Sequence, residues 1–278
     1  MKNSTKIIAE IGINHQGNFE LMKQMMIAAK GCGVDYVKSQ KREPKVCLTE
    51  EQYNRPYDNP NSFGKTYGEH KENLEFTQEQ WKQLFKFAND IDIKLFLSVF
   101  DEVSAQGMND LNQDLYKIGS AEVTKLPLLE QVKGFNKPII LSTGMSTIEE
   151  IDKAVDVLKG SELTLMHCVS AYPCKETDVN LNVIKTLQAR YKLPIGLSGH
   201  YVTGSGAIES AAVAMGVKWI ERHFTLDRAM KGTDQAASLE ASGMLSVVKA
   251  VRTTERALGG FDKVVLPCEE AVRAKCRG

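Results

Sequence analysis

The sequence carries no excess of charge of either sign. Lysine plus arginine and aspartate plus glutamate stand at 35 each in 278 residues. Such a chain has no basic field to draw in nucleic acid and no polybasic patch to rest on an anionic membrane. Neither is expected as a partner. No segment approaches the roughly 18 uninterrupted apolar residues of a spanning helix. The apolar stretch Ile7-Ile8-Ala9 breaks at Glu10, too early for a signal peptide. Six cysteines (Cys32, Cys47, Cys168, Cys174, Cys268, Cys276) include no CxxC pair, which argues against a zinc ribbon or a dithiol redox motif. No G-x-G-x-x-G and no Walker A sequence occurs. A cytoplasmic chain with reduced thiols is expected. Any phosphate chemistry must come from local Lys, Ser and backbone N–H groups.

What the sequence does have is an alternation. Hydrophobic residues make up 42%, and short apolar runs fall at 7–11, 35–38, 94–99, 115–118, 138–142, 163–168, 193–197 and 218–221. Most are four to six residues long and apolar throughout, as parallel strands covered by helices should be. Helix-length segments separate them, among them 19–32, 78–90, 204–215 and 241–258. Ser146-Thr147-Ile148-Glu149 resembles a capping box ahead of Ile151 and Val155. Eight strand–helix repeats predict a single-domain (β/α)₈ TIM barrel over 1–278; a doubly wound open sheet is the other arrangement the periodicity allows. A long polar insertion, 43–76, follows the second strand and carries Tyr53, Tyr57, Phe63 and Tyr67. A loop of that length with its own aromatics reads as a lid or an interface arm, or as a surface excursion.

A parallel barrel builds its active site at the C-terminal ends of its strands. The expected ends deliver Glu10; Lys38 and Gln40; Ser98; Lys117, Ser120 and Glu122; Ser142; His167 and Ser170; Ser198 and His200; Glu221 and His223. Each group can meet an anion, a metal or a hydroxyl. His200 and His223 fall at one height on adjacent strands. They suit a catalytic divalent metal with open positions, or two hydrogen-bonded histidines. Lys38 and Lys117 lie in apolar strands, where a lysine is costly unless an anion answers it. With Ser120, Ser142 and Ser198 they suit a phosphate or carboxylate. Glu10, Glu122 and Glu221 serve as general bases, as hydroxyl acceptors, or as ion-pair partners for those lysines. His167 reads as a core histidine satisfied by a hydrogen bond.

Taken together, several motifs resemble the sialic acid synthase family. They are Ala9-Glu10-Ile11-Gly12-Ile13-Asn14-His15, Lys38-x-Gln40, Tyr116-Lys117-Ile118-Gly119-Ser120-x-Glu122 and Ile140-Leu141-Ser142-Thr143-Gly144-Met145. His167-Cys168-Val169-Ser170-Ala171-Tyr172-Pro173, Gly196-Leu197-Ser198-Gly199-His200 and Glu221-Arg222-His223-Phe224-Thr225 continue the series. Gly64-Lys65-Thr66-Tyr67-Gly68-Glu69-His70-Lys71 and Gly232-Thr233-Asp234-Gln235 are similar to the branch with the animal 9-phosphate synthases.

The resemblance implies condensation of phosphoenolpyruvate with an N-acetylmannosamine-type aldehyde, with phosphate leaving by C–O cleavage. It implies Mn²⁺ or Mg²⁺ on His200 and His223, backed by Glu221. Phosphoenolpyruvate would be held by Lys38, Lys117, Ser120, Ser142, Ser170 and Ser198. Gln40, Glu10, Glu122 and Lys38 would act on the aldehyde, its hydroxyls and the attacking water. A homodimer is implied too. Two hydroxyl positions depart from the family: Ser170 stands where bacterial members often have Asn, and Ser98 is the only hydroxyl near Val99. The sequence also stops before the family's usual C-terminal antifreeze-like domain, which gives an Arg to the partner's sugar site. Either Arg55 or Lys65 on the insertion, or a separate polypeptide, stands in for it, or activity is weakened. Arg55, Lys65 and Lys71 suit a 6-phosphate on the acceptor. Rival readings are a synthase for the 9-phosphate or for legionaminic, pseudaminic or 2-keto-3-deoxynonulosonic acid, and a non-catalytic barrel that scaffolds a partner synthase.

Overall fold

The computed structural model describes residues 4–277. Eight parallel strands pair in chain order and close on themselves. They are β1 (Lys6–Gly12), β2 (Tyr36–Lys41), β3 (Lys94–Val99), β4 (Tyr116–Ile118), β5 (Ile139–Ser142), β6 (Leu163–Cys168), β7 (Ile195–Gly199) and β8 (Trp219–His223). Every expected strand is present, and the closure excludes the open sheet. Four strands run past their expected ends, β1 to Gly12, β2 to Lys41, β7 to Gly199 and β8 to His223. Polar residues there look like loop in the sequence. In the barrel they remain in the ladder because the upper part of its interior is polar.

The pleat sends alternate side chains to opposite faces. Ile7, Ala9, Ile11, Leu95, Leu97 and Val99 point outward and join the helices in the main core. Ile8, Phe96, Leu115, Ile140 and Met166 form a second, separate apolar cluster. This cluster plugs the barrel interior. Two residues further along each of those strands stand Glu10, Ser98, Lys117, Ser142 and Cys168, which line the cavity above the plug. The same period of two that builds the plug therefore lifts a polar layer onto it.

Caps fix where the helices begin. Asn18 accepts a hydrogen bond from the Leu21 amide at 3.0 Å at the start of the helix Phe19–Gly31. Before the helix Ile148–Val157 the capping box uses Thr147 and Glu150, one residue later than the Ser146 and Glu149 pair expected. Ser146 instead donates to the Gly144 carbonyl oxygen at 3.2 Å.

The insertion is built as a small packed unit. It contains the short helices Pro44–Cys47, Glu50–Asn54 and Tyr67–Glu72 and a bridge between Pro56 and Thr66. The rings of Tyr57 and His70 stand 4.6 Å apart between centroids. Gly68 lies so close to the Tyr53 ring that a Cβ there would meet it at 2.3 Å. The Gly232 amide donates to Asn61 Oδ1 at 3.1 Å, tying the insertion to the segment after β8. Beyond Leu258 the described residues are exposed, including the helix Glu270–Arg277. No helix of the described residues is long and apolar enough to cross a membrane.

Candidate active site

One cavity of about 300 Å³ opens at the C-terminal ends of the strands. That is the low end of the range for small-molecule sites. Glu10, Lys38, Gln40, Ser98, Lys117 and Ser120 all line it, as do Glu122, Ser142, Ser170, Ser198, His200, Glu221 and His223. The strand ends thus converge. Asn14, His15 and His167 do not reach the cavity. Asn14 donates to the Phe224 carbonyl at 2.9 Å and His15 stacks on Phe76 at 4.4 Å. His167 Nε2 bonds the Val179 carbonyl at 2.6 Å, as a core histidine should.

The cavity floor is an ion-pair network. Lys38 Nζ lies 2.7 Å from Glu10 Oε2 and 3.7 Å from Glu221 Oε2, and donates to Ser98 Oγ at 2.9 Å. Ser98 therefore faces the mouth, and Val99 packs in the outer core. Lys117 Nζ donates to Ser142 Oγ at 2.7 Å and stands 3.9 Å from Glu221 Oε1. The two lysines respond differently to the same burial. Burial works against the Lys38 ammonium, but Glu10 and Glu221 outweigh it and raise its pKa above the ordinary value. Lys117 has only distant carboxylates, so burial wins and its pKa is lowered. Burial also opposes the Glu221 carboxylate, yet Lys117 and Lys38 hold it below the usual range.

A serine cluster stands on the β4–β6 side. The Gly144 amide donates to Ser120 Oγ at 3.0 Å, and Ser120 Oγ lies 3.2 Å from Cys168 Sγ. A Cβ on Gly144 would fall 2.3 Å from Ser170 Oγ and 2.9 Å from Ser120 Oγ. Ser170 Oγ is buried without a hydrogen-bond partner. Hydroxyls left open around a lysine suit an anion with several oxygens.

Across the cavity, the rings of His200 and His223 stand 5.3 Å apart between centroids. His200 Nδ1 bonds the Val169 carbonyl at 2.7 Å. A carbonyl only accepts, so Nδ1 carries the proton and Nε2 keeps its lone pair. Burial, with the charge of His223, lowers the His200 pKa to about 3, so the ring is neutral. His223 Nδ1 is buried and unpartnered, with Asp234 Oδ2 3.9 Å away. Two adjacent imidazoles with open nitrogens fit a divalent metal that completes its shell with water or substrate oxygens. No group of three or more His, Cys, Asp or Glu side chains among the described residues is arranged to hold a metal by itself. Glu221, expected behind the histidines, instead accepts from Ser198 Oγ at 2.9 Å and serves the lysines.

Glu122 stands apart from the network. Burial raises its pKa to about 6, against the pull of Lys125, Arg42 and Lys117. Its nearest cation, Lys125 Nζ, is 3.8 Å away, and Oε2 has no partner. It is a cavity carboxyl poised to exchange a proton near neutral pH.

Strand-end reasoning overlooked several cavity residues, among them Arg42, Lys71, Tyr172 and Asp234. Arg42 directly follows β2, Lys71 comes from the insertion, Tyr172 from the loop after β6, and Asp234 from the segment after β8. The Tyr172 ring lies 4.2 Å from that of His200 and 5.6 Å from that of His223. Of the basic residues named on the insertion, Lys71 alone reaches the cavity. Arg55 rests on the Tyr67 ring at 5.1 Å, and Lys65 lines a separate surface hollow with Tyr57 and Asp58. A loop side chain has no fixed period against the barrel, which is why its target was not legible.

Arg222, between Glu221 and His223, is fully buried on the outer side of β8. It pairs with Glu209 and donates to the carbonyl oxygens of Tyr201 and Thr203. This clasp secures the chain that leaves His200.

Residues 25–263 match the NeuB family. The chain is 41% identical to the N-acetylneuraminate-9-phosphate synthase of Mus musculus over 99% of its own length and 77% of the relative's. It is 36% identical to the N,N'-diacetyllegionaminic acid synthase of Campylobacter jejuni, covering 92% of this chain and 78% of that one. Among solved structures, the N-acetylneuraminic acid synthetase of Leptospira borgpetersenii in complex with citrate superposes with a TM-score of 0.84. That alignment has 29% identity and covers 99% of this chain and 93% of that one.

Proposed function

The chain belongs to the NeuB family, and from that premise we propose that it condenses phosphoenolpyruvate with an N-acetylmannosamine-type aldose to form a nine-carbon 2-keto-3-deoxy acid and phosphate. One observation carries the reading. A lysine–serine anion cradle and two open imidazoles face each other across a single small cavity.

Lys38 and Lys117 neutralise the phosphate and carboxylate of phosphoenolpyruvate, and Ser120, Ser142, Ser170 and Ser198 donate to their oxygens. His200 and His223 would hold a divalent cation, Mn²⁺ or Mg²⁺, which supplies Lewis acidity at the sugar carbonyl. Gln40 and Glu10 orient the aldehyde and its hydroxyls; Gln40 Nε2 already donates to Glu10 Oε1 at 3.0 Å. The reaction forms a bond from C3 of phosphoenolpyruvate to the aldehyde carbon. It adds water at C2 and breaks the C2–O bond to phosphate. Glu122 takes one proton of that water and passes it to the departing phosphate, while the aldehyde oxygen stays on the sugar and becomes a hydroxyl with the water's other proton. Preorganised charge at the floor steadies the cationic character that develops at C2. The reading includes a cytoplasmic setting, which six unbridged thiols favour, and a homodimer, which sedimentation tests.

The test is phosphate release from phosphoenolpyruvate with Mn²⁺ over a panel of aldoses: N-acetylmannosamine, its 6-phosphate, mannose and di-N-acetylated hexoses. Turnover with one of them is expected. No turnover with any, together with tight association with another polypeptide, would favour the scaffold reading instead.

A further inference from the structure

Arg42 is the first residue after β2, and it is only 8% exposed although it carries a charge. Its guanidinium lies over the Phe100 ring, 4.1 Å from the centroid. Its Nε stands 3.4 Å from Glu75 Oε1, and its backbone amide donates to Glu75 Oε2 at 3.2 Å. Lys41 Nζ approaches the same carboxylate at 3.2 Å. An aromatic face and a buried carboxylate thus seat the guanidinium. Its terminal nitrogen turns toward the cavity wall and donates to Gln40 Oε1.

That contact has a direction. A guanidinium only donates, so Gln40 Oε1 must accept. The other end of the amide, Nε2, then donates to Glu10 Oε1 at 3.0 Å. The second Glu10 oxygen lies 2.7 Å from Lys38 Nζ. Donation therefore runs from Arg42 through Gln40 to Glu10, where it meets Lys38 coming from the floor. A flipped amide would set its NH2 against Arg42 and its oxygen against the Glu10 carboxylate, two repulsive contacts at once. Space there is tight: a Cβ on Gly12 would stand 3.2 Å from both Gln40 Nε2 and Glu10 Oε1. With Oε1 held by Arg42 and one Nε2 hydrogen held by Glu10, the second Nε2 hydrogen is the donor that Gln40 has left.

We propose that Arg42 is a positioning residue: by holding Gln40 Oε1 it locks the amide in one orientation, so that Gln40 meets the aldose as a hydrogen-bond donor and keeps Glu10 turned to Lys38. This rests on the condensation reading. A fixed N–H selects a carbonyl or hydroxyl oxygen of the sugar. An amide free to turn would offer its own oxygen part of the time, and the reacting geometry would be lost in those encounters. Arg42 acts here through Gln40 and not by touching the substrate.

The experiment is a double-mutant cycle of Arg42→Met, Gln40→Ala and the pair, read as kcat and as KM for phosphoenolpyruvate and for the aldose that turns over. Thermal melting checks folding. Arg42→Lys keeps a cation for Glu75 but lacks the planar fork, so it should show the same pattern as Arg42→Met and carries the test if that variant unfolds. Arg42→Met should raise the aldose KM about tenfold, as loss of one charge-assisted contact does, and leave the phosphoenolpyruvate KM nearly unchanged. In the Gln40→Ala background the same substitution should change the aldose KM little, because the side chain it acts through is gone. Full additivity overturns the proposal, and so does an equal rise in both KM values. Nitrogen-15 NMR reads the amide without catalysis. The Gln40 side-chain NH2, assigned by its loss in Gln40→Ala, should exchange slowly with solvent in wild type and at least tenfold faster in Arg42→Met. Unchanged exchange overturns the proposal whether or not the protein turns over. No turnover by wild type with any aldose is failure of the condensation reading, and the NMR then decides the amide lock by itself.

Discussion

Glu10 and Lys38 stand opposite each other on β1 and β2, and their side chains meet at 2.7 Å with both almost fully buried. Directly beneath Glu10 the barrel interior is apolar, plugged by Ile8, Phe96 and Met166. Two charges brought so far from water are stable only while each has its partner. The pair positions an ammonium for an anionic substrate without letting that ammonium lose its proton.

Lys38→Met should remove activity and destabilise the fold together. It leaves Glu10 and Glu221 with less compensation in the interior, at a cost of about 3–5 kcal/mol. Urea unfolding reads the stability and phosphate release the activity. A fully stable Lys38→Met protein would contradict the network.

Glu122 sets a pH dependence. Its folded pKa of about 6, raised chiefly by burial, lies above the ordinary 4.5. The folded state therefore binds that proton more tightly than the unfolded one. The resulting stability is complete below about pH 4.5 and is lost as pH rises through about 6. Activity should move the other way, rising through about 6 as the base ionises. In Glu122→Gln the rising limb should vanish from the pH–rate profile, with a fall of about 10²–10⁴ in kcat.

Removal of metal should stop turnover, and Mn²⁺ should restore it. Electron paramagnetic resonance of Mn²⁺ gives a readout independent of activity. His200→Ala and His223→Ala should each leave the Mn²⁺ free in solution at concentrations that saturate wild type. Unchanged Mn²⁺ binding in both variants would move the metal elsewhere.

Gly144→Ala should strike phosphoenolpyruvate selectively. The added methyl meets Ser170 Oγ and Ser120 Oγ well inside contact distance. Overpacking of this kind costs about 1–3 kcal/mol. KM for phosphoenolpyruvate should rise by about tenfold, more than KM for the sugar, because the displaced hydroxyls belong to the anion side.

Glu209→Ala tests the clasp behind the histidines. Arg222 is left charged and buried, which costs about 3–5 kcal/mol. Thermal melting should fall accordingly, and Mn²⁺ binding should weaken because the chain after His200 loses its anchor.

Two histidines, two lysines and a set of strand-end serines were legible because strands impose a period of two and a common direction. Once eight runs were counted, Glu10, Lys38, Lys117, Ser142, Ser198 and Glu221 had to point inward at one height. Their pairing was not legible. Glu221 was expected behind the histidines, yet it sits opposite Ser198 in the β7–β8 register and turns to the lysines. That choice depends on distances between strands, which the sequence does not carry.

The sequence by itself determined the eight alternating strands and helices, the polar strand ends and the family, since these follow from local periodicity and motif order. Folding alone chose among the loops. It brought Lys71 to the rim and left Arg55 and Lys65 outside, and it set Tyr172 against His200 and Asp234 near His223. Loop side chains follow no repeat, so their place is fixed only by the packing of the insertion and by the long-range contacts that closing the barrel creates.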